Sequence, residues 1–314
     1  MFGKRIRKQQ ALTHQIVVLV RTRKCATWKP IRSTCGAGEA SLKLAIISDI
    51  HHAPPGLDGF DVRAIVDAFV SKAIEDRAEV LIDLGDRIDD IDRETDLRLA
   101  IDLADIFKRF SGPRVHLRGN HDVVNLTDAD HERLFGRRPG HGVMDLDTCR
   151  LLWWEPSVRF NRKAGFPPTA GELGWLTATL GADSRPAIVA THIPLSGASM
   201  TGNYYFENNA AFATYPDAAT ARSAVAATGK AALWLSGHVH WNSFAIINNI
   251  PHVTIQSASE RFTTMPDPAG ASAQLEIADH WAKLEVFGRD PLRVEFPFGR
   301  SGDRPWPEPR PKVV

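Results

Sequence analysis

The chain has 314 residues, 43% hydrophobic and 24% charged, a globular composition with enough apolar mass for one large domain or two small ones. No apolar run reaches the roughly 18 residues needed to cross a bilayer, no solenoid-length repeat occurs, and a membrane is not an expected partner. The net charge of +1 conceals nine basic residues and no acidic one in residues 1–38, which leaves 29 basic against 37 acidic in the remainder, a balance of −8. A body of that sign does not draw nucleic-acid phosphates through its general field, so a polymeric nucleic acid is not expected and an anionic substrate must be held by a local site.

Within residues 1–40 the one apolar run, 16–20, is followed by Arg21, Arg23 and Lys24 rather than a small-residue cleavage site, which argues against a secretory signal. The composition loosely resembles a transit peptide or a nucleic-acid arm, but the reading taken is a disordered basic extension. Cys25, Cys35 and Cys149 show neither metal-ligand spacing nor a disulfide framework, consistent with a reducing, cytoplasmic setting.

The ordered domain is expected over 41–299. Residues 42–47 form an apolar run that suits a strand buried on both faces and ends at Ser48-Asp49. Val62, Ile65, Val66, Phe69, Val70, Ala73 and Ile74 follow at helical spacing, then a second strand, 80–84, before Gly85-Asp86. Leu97, Ala100, Ile101, Ala104 and Phe107 mark another helix, and a short strand, 115–117, precedes Gly119-Asn120-His121-Asp122. Leu173, Leu176 and Leu180 suggest a helix, 187–190 a strand leading to His192, 216–228 a helix opened by Pro216, and 233–235 a strand leading to Gly237-His238-Val239-His240. Short β-prone runs at 244–247, 252–255, 284–287 and 294–296 predict antiparallel strands, and the prolines beyond residue 300 an extended tail over 300–314.

Five segments thus place metal-ligand residue types directly after a strand. In an open α/β sheet such positions converge along one edge. Asp49, His51, Asp86, Asn120, His192, His238 and His240 offer two carboxylates, one amide and four imidazoles, donors that suit a pair of hard or borderline cations. Such a pair can clamp the attacking and leaving oxygens of an in-line displacement.

The order Asp49-x-His51, Gly85-Asp86-x-x-Asp89, Gly119-Asn120-His121-Asp122, His192 and Gly237-His238-x-His240 resembles the full signature of the calcineurin-like metallophosphoesterases, over about residues 42–260. The resemblance implies a single α/β domain, a four-layer α/β/β/α sandwich of two mixed sheets. It implies that Asp49, His51, Asp86 and His240 hold one metal and Asp86, Asn120, His192 and His238 the second, the pair being Mn, Fe or Zn. It further implies that Asn120 and His121 meet the phosphoryl group, that His121 protonates the leaving group, and that Asp122 orients His121. The implied reaction is attack of a metal-bridging hydroxide on a small phosphoester.

The purple acid phosphatases carry a Tyr ligand where this chain has Asp89, and the arginine-bearing motif of the serine/threonine protein phosphatases is absent around Asp86. The run 191–195 looks more like the bacterial class III cyclic-nucleotide phosphodiesterases. A small phosphodiester is therefore the expected substrate, with a phosphomonoesterase, a pyrophosphohydrolase or a non-catalytic scaffold as alternatives. His52 either faces the substrate or is a solvated loop side chain. Arg87 is expected to pair at the surface with Asp89 or Asp90 rather than touch phosphate. The aromatic, amide-rich stretch 196–215 either caps a nucleobase or aryl leaving group or packs on its own domain or a homodimer partner. Trp153, Trp154 and Trp234 read as core or interface anchors.

Overall fold

The computed structural model describes residues 41–54, 60–278 and 280–299. The expected basic extension and the proline-rich tail lie outside the described residues. The first half opens with β1 (Leu42–Ile47), α1 (Val62–Glu75), β2 (Val80–Asp83), α2 (Arg93–Phe107) and β3 (Arg114–His116). Asp61 and Asp92 start the two helices by accepting N–H bonds of the first turn, as carboxylates at N-caps do. Two short helices follow, α3 (Asp122–Asn125) and α4 (Asp128–Phe135), the latter opened by a capping box of Thr127 and Asp130.

The second half runs β4 (Gly142–Asp145), β5 (Arg150–Trp153), α5 (Ala170–Gly181), β6 (Ala187–Ala190), a 3₁₀ turn (Ala210–Phe212), α6 (Ala218–Ala227), β7 (Ala231–Ser236), β8 (Ser243–Ile247) and β9 (Ile250–Thr254). The chain closes with β10 (Ser272–Ala278), β11 (Trp281–Phe287) and β12 (Leu292–Pro297). One six-stranded sheet has the order β12-β11-β10-β1-β2-β3 and the other β4-β5-β6-β7-β9-β8. β1, β2 and β3 are parallel, as are β5, β6, β7 and β9, while β10 meets β1 antiparallel.

Three apolar layers weld the sandwich. Ile46, Ile82, Leu235 and Val253 fill the space between the sheets, Val66, Phe69, Leu103 and Phe107 seat α1 and α2 on the first sheet, and Leu176, Leu180, Ala221 and Val225 seat α5 and α6 on the second. The result is the four-layer α/β/β/α arrangement. Trp154 and Trp234 are fully buried, edge to face, as core anchors. The sequence reading omitted β4, β5, α3, α4 and β10. It also started the 216–228 helix two residues early, because the Asp217 carboxylate accepts from Thr169 instead of capping its own helix.

Candidate metal centre

All seven predicted ligands stand at the carboxyl ends of strands: Asp49 and His51 after β1, Asp86 after β2, Asn120 after β3, His192 after β6, and His238 and His240 after β7. Four come from the first sheet and three from the second. Parallel strands flanked by helices deliver side chains to one edge in this way. The turns are conformationally expensive. Of the eight non-glycine residues with positive φ among the described residues, five are predicted ligands: Asp49 (49°), His51 (45°), Asp86 (55°), His238 (72°) and His240 (58°). Left-handed backbone at such residues costs on the order of 1–3 kcal/mol each and persists where surroundings over-determine it, commonly at functional sites. A Cβ on Gly119 would collide with the Asp86 carboxylate, and one on Gly237 with Ser48 and Asp49. Glycine at both positions therefore lets the strand ends close on each other.

The donors form two groups that share one carboxylate. Asp49, His51, Asp86 and His240 can bring one donor atom each within 4.8 Å of the others, and so can Asp86, His192 and His238. Asn120 joins the second group, its Oδ1 3.3 Å from His192 Nε2. The tautomers are fixed from behind. His192 Nδ1–H donates to the Leu84 carbonyl at 2.9 Å, His238 Nε2–H to the Phe212 carbonyl at 2.8 Å, and His51 Nδ1–H to Asp89 Oδ1 at 2.8 Å. Metal-ligating histidines characteristically have the outer nitrogen held by an oxygen like this, leaving the inner lone pair free.

Inside the cluster two polar atoms lack partners. His238 Nδ1 and Asp86 Oδ2 are buried without a hydrogen bond among the described residues, and the Nε2 atoms of His51 and His240 face each other at 3.0 Å. Burial opposes the charge on Asp86, yet His192, His121 and His51 hold its carboxylate well below the ordinary range. Burial likewise opposes protonation of His192, but Asp86 at 3.2 Å outweighs it and raises the imidazole to about 9. Burial and His192 push His238 down to about 3, leaving it neutral. Buried carboxylates, imidazoles held by their outer nitrogens and the orphaned atoms of His238 and Asp86 are a donor set that divalent cations satisfy, so the residues present fit a metal pair.

His121 stands at the mouth of this cluster. Its backbone N–H donates to Asp86 Oδ1 at 2.9 Å, and its Nδ1 lies 2.6 Å from Asp90 Oδ1. Burial opposes its charge, but the carboxylates of Asp86, Asp90 and Asp89 prevail and raise it to about 10. Three expectations require correction. Asp122 does not orient His121: its carboxylate accepts the backbone N–H groups of Asp86, Arg87 and Gly119, fixing the two ligand-bearing turns, and Asp90 takes the histidine.

Arg87 is not at the surface. It is fully buried, donates to Asp83 at 2.7 Å and to the Leu117 carbonyl at 2.6 Å, lies 3.2 Å from Asp122, and covers the Phe135 ring. These partners, His131 Nδ1 at 3.1 Å and the aromatic face compensate its desolvation. His52 is neither solvated nor in the pocket. It is buried against α2, with Nε2 3.7 Å from Asp102, because its backbone pairs with Arg87 and turns the ring away from the cluster.

A cavity of about 690 Å³ opens over the cluster. His51, Asp86, Asn120, His121, His238 and His240 form its floor. Asp89, Asp90 and Glu260 line it as well, and Phe160, Phe166, Tyr204, Tyr205, Phe206, Phe212 and Phe262 supply aromatic walls. Four of those seven aromatics belong to 196–215. Buried Asn203 ties that stretch down by donating to the Val239 carbonyl, between two predicted ligands, at 2.9 Å. The sequence reading missed Asp90, Phe160, Arg162, Phe166, Glu260 and Phe262. Only Asp90 carried a usable signal, being a second carboxylate directly after the one in the motif.

Known proteins bear on this arrangement. The sequence matches no curated protein significantly. A dimetal phosphatase from Danio rerio shares the fold with a TM-score of 0.67 at 13% identity, over 82% of this chain and 99% of that one. GAP50, the anchor in the inner membrane complex of Plasmodium, superposes with a TM-score of 0.58 at 12% identity over 84% and 91% of the two chains. The purple acid phosphatase PPD1 of yellow lupin (Lupinus luteus) does so with 0.57 at 13%, over 82% of this chain and 54% of its own. The profile of the calcineurin-like phosphoesterases matches residues 42–242, the span that carries β1 to β7 and every predicted ligand, and the chain belongs to that family.

Proposed function

We propose that this metallophosphoesterase is a dinuclear phosphodiesterase acting on a small diester, a cyclic nucleotide or a related molecule. Asp49, His51, Asp86 and His240 would hold one ion, and Asp86, Asn120, His192 and His238 the other. Held there, Mn, Fe or Zn would supply Lewis-acid charge for hydrolysis. The observation that carries the diester preference is the charge lining the cavity. Apart from the predicted ligands, it presents, among the described residues, three carboxylates (Asp89, Asp90 and Glu260) against two cationic groups, the Arg162 guanidinium and the His121 imidazolium.

A phosphomonoester is close to a dianion at neutral pH, whereas a diester carries one charge. Each additional negative charge meets these carboxylates. The protein's own residues supply the rest of the chemistry. His121, protonated and held by Asp90, faces the cavity and can give its proton to the departing alkoxide oxygen. Asn120 beside it reaches the phosphoryl oxygens, and the aromatic walls exclude water.

The test is the ratio of kcat/KM for bis-p-nitrophenyl phosphate to that for p-nitrophenyl phosphate on manganese-loaded protein, with Asp86→Asn as control. The diester is expected to lead by about tenfold or more, the rate equivalent of about 1.4 kcal/mol of added repulsion. Asp86→Asn should lose both bound metal and turnover. Monoester turnover dominating that of the diester overturns the preference.

A further inference from the structure

Three rings stand in a near-parallel row along one wall of the cavity. His240, a predicted ligand, lies 5.8 Å from Phe262 with 24° between the planes, and Phe262 lies 4.8 Å from Tyr204 with 28° between them. The row runs from the buried cluster to solvent, where Tyr204 is 79% exposed. Burying so large a ring is normally a major source of stabilisation, so its exposure is not explained by packing within the chain.

Nor is Tyr204 a side chain on a slack loop. Its neighbour Asn203 is buried, donates to the Val239 carbonyl, and accepts the N–H groups of Tyr205 and Phe206 at 3.1 and 2.9 Å. Phe206 in turn packs on His238, ring centroids 5.0 Å apart. Phe160 and Phe212, 5.9 Å apart, also line the cavity. The space between the walls far exceeds the volume of a phosphoryl group and matches that of small-molecule sites. A pre-positioned aromatic face costs little entropy to use, and any planar ring can stack on it.

We infer that the row His240–Phe262–Tyr204 is a stacking shelf, with Tyr204 and Phe262 as specificity-determining residues that seat a planar aromatic or heteroaromatic group of the substrate while its phosphoryl group lies at the metal cluster. The inference rests on the phosphoesterase reading for where the phosphoryl group sits, but not on the preference for diesters.

The experiment is calorimetric titration of the full chain, with manganese, by adenosine 5′-monophosphate and by ribose 5-phosphate, which carry a base and a hydroxyl, respectively, at the same sugar carbon. The nucleotide is expected to bind about tenfold or more tightly, the scale of one stacked base. Tyr204→Ala and Phe262→Ala should each erase most of that ratio, and Tyr204→Phe should keep it. Because the ratio compares two ligands on one preparation, incomplete metal loading or local loosening affects both and cancels. Equal affinities in the unaltered protein, binding of neither ligand, or a ratio that survives both alanine variants overturns the shelf. Since the readout is binding, a protein that proves to favour monoesters in turnover still tests it.

Discussion

Asp90 holds His121 by its outer nitrogen, as Asp89 holds His51 and the Phe212 carbonyl holds His238. A charge-assisted bond of 2.6 Å fixes both the orientation and the proton of His121. Asp90→Asn is therefore expected to lower kcat about 10- to 100-fold, the range seen when such outer partners are removed, while KM and bound metal stay near their original values. A drop in metal content parallel to the drop in kcat would show that Asp90 acts on the cluster instead. At this scale the predicted ligands were legible because their chemistry is written in residue type and order. The surroundings were not. Arg87 and His52 sit beside predicted ligands in sequence, yet left-handed turns at His51 and Asp86 swing them into the interior, and no periodicity announces such turns.

Among the elements, α4 illustrates how a helix outside the motifs supports them. His131 on α4 accepts from Arg87 through Nδ1 at 3.1 Å and reaches the Asp122 carbonyl through Nε2 at 3.2 Å, both arms filled by the neutral ring. Burial and the Arg87 charge depress it to about 3, and burial and Arg222 depress His252 on β9 to about 4. In the unfolded chain both titrate near 6.5. Between those values the unfolded state binds more protons, so stability falls as pH drops from about 6.5 toward 3. Chemical denaturation across that window should show the decline, and His131→Gln, which retains an acceptor and a donor, should flatten it. A slope unchanged in the variant would mean that other groups set the acid limb.

The buried parallel strands β1, β2, β6 and β7 could be read from apolar runs that stop at polar residues. β10 could not be read that way, although Ala273, Leu275 and Ile277 alternate inward. Its seven residues contain five polar or small side chains, and only pairing with β1, more than two hundred residues away, identifies it as a central strand.

For the whole molecule, the sandwich was legible as a class but not in its strand order, which depends on contacts between distant segments. The two sheets are tied at the cluster itself: His238 N–H donates to Asp49 across the sandwich at 2.9 Å, and His192 donates to the carbonyl of Leu84. Cations gripped from both sides bind the folded state alone, and at about 100 times Kd such binding adds about 2.7 kcal/mol. Manganese should accordingly raise Tm by several degrees, on the scale of about 2–4 °C per kcal/mol for a domain of this size, and EDTA should return it to the metal-free value. A Tm indifferent to both reagents would remove the cluster from the stability of the fold.

With four predicted ligands riding on one sheet and three on the other, the centre works as a caliper whose jaws are the sandwich halves. A bulkier side chain wedged between them, Leu235→Phe for instance, would spread the jaws without touching a single donor atom. Its cost would surface first as slackened grip on the ions and only afterwards as loss of the folded chain.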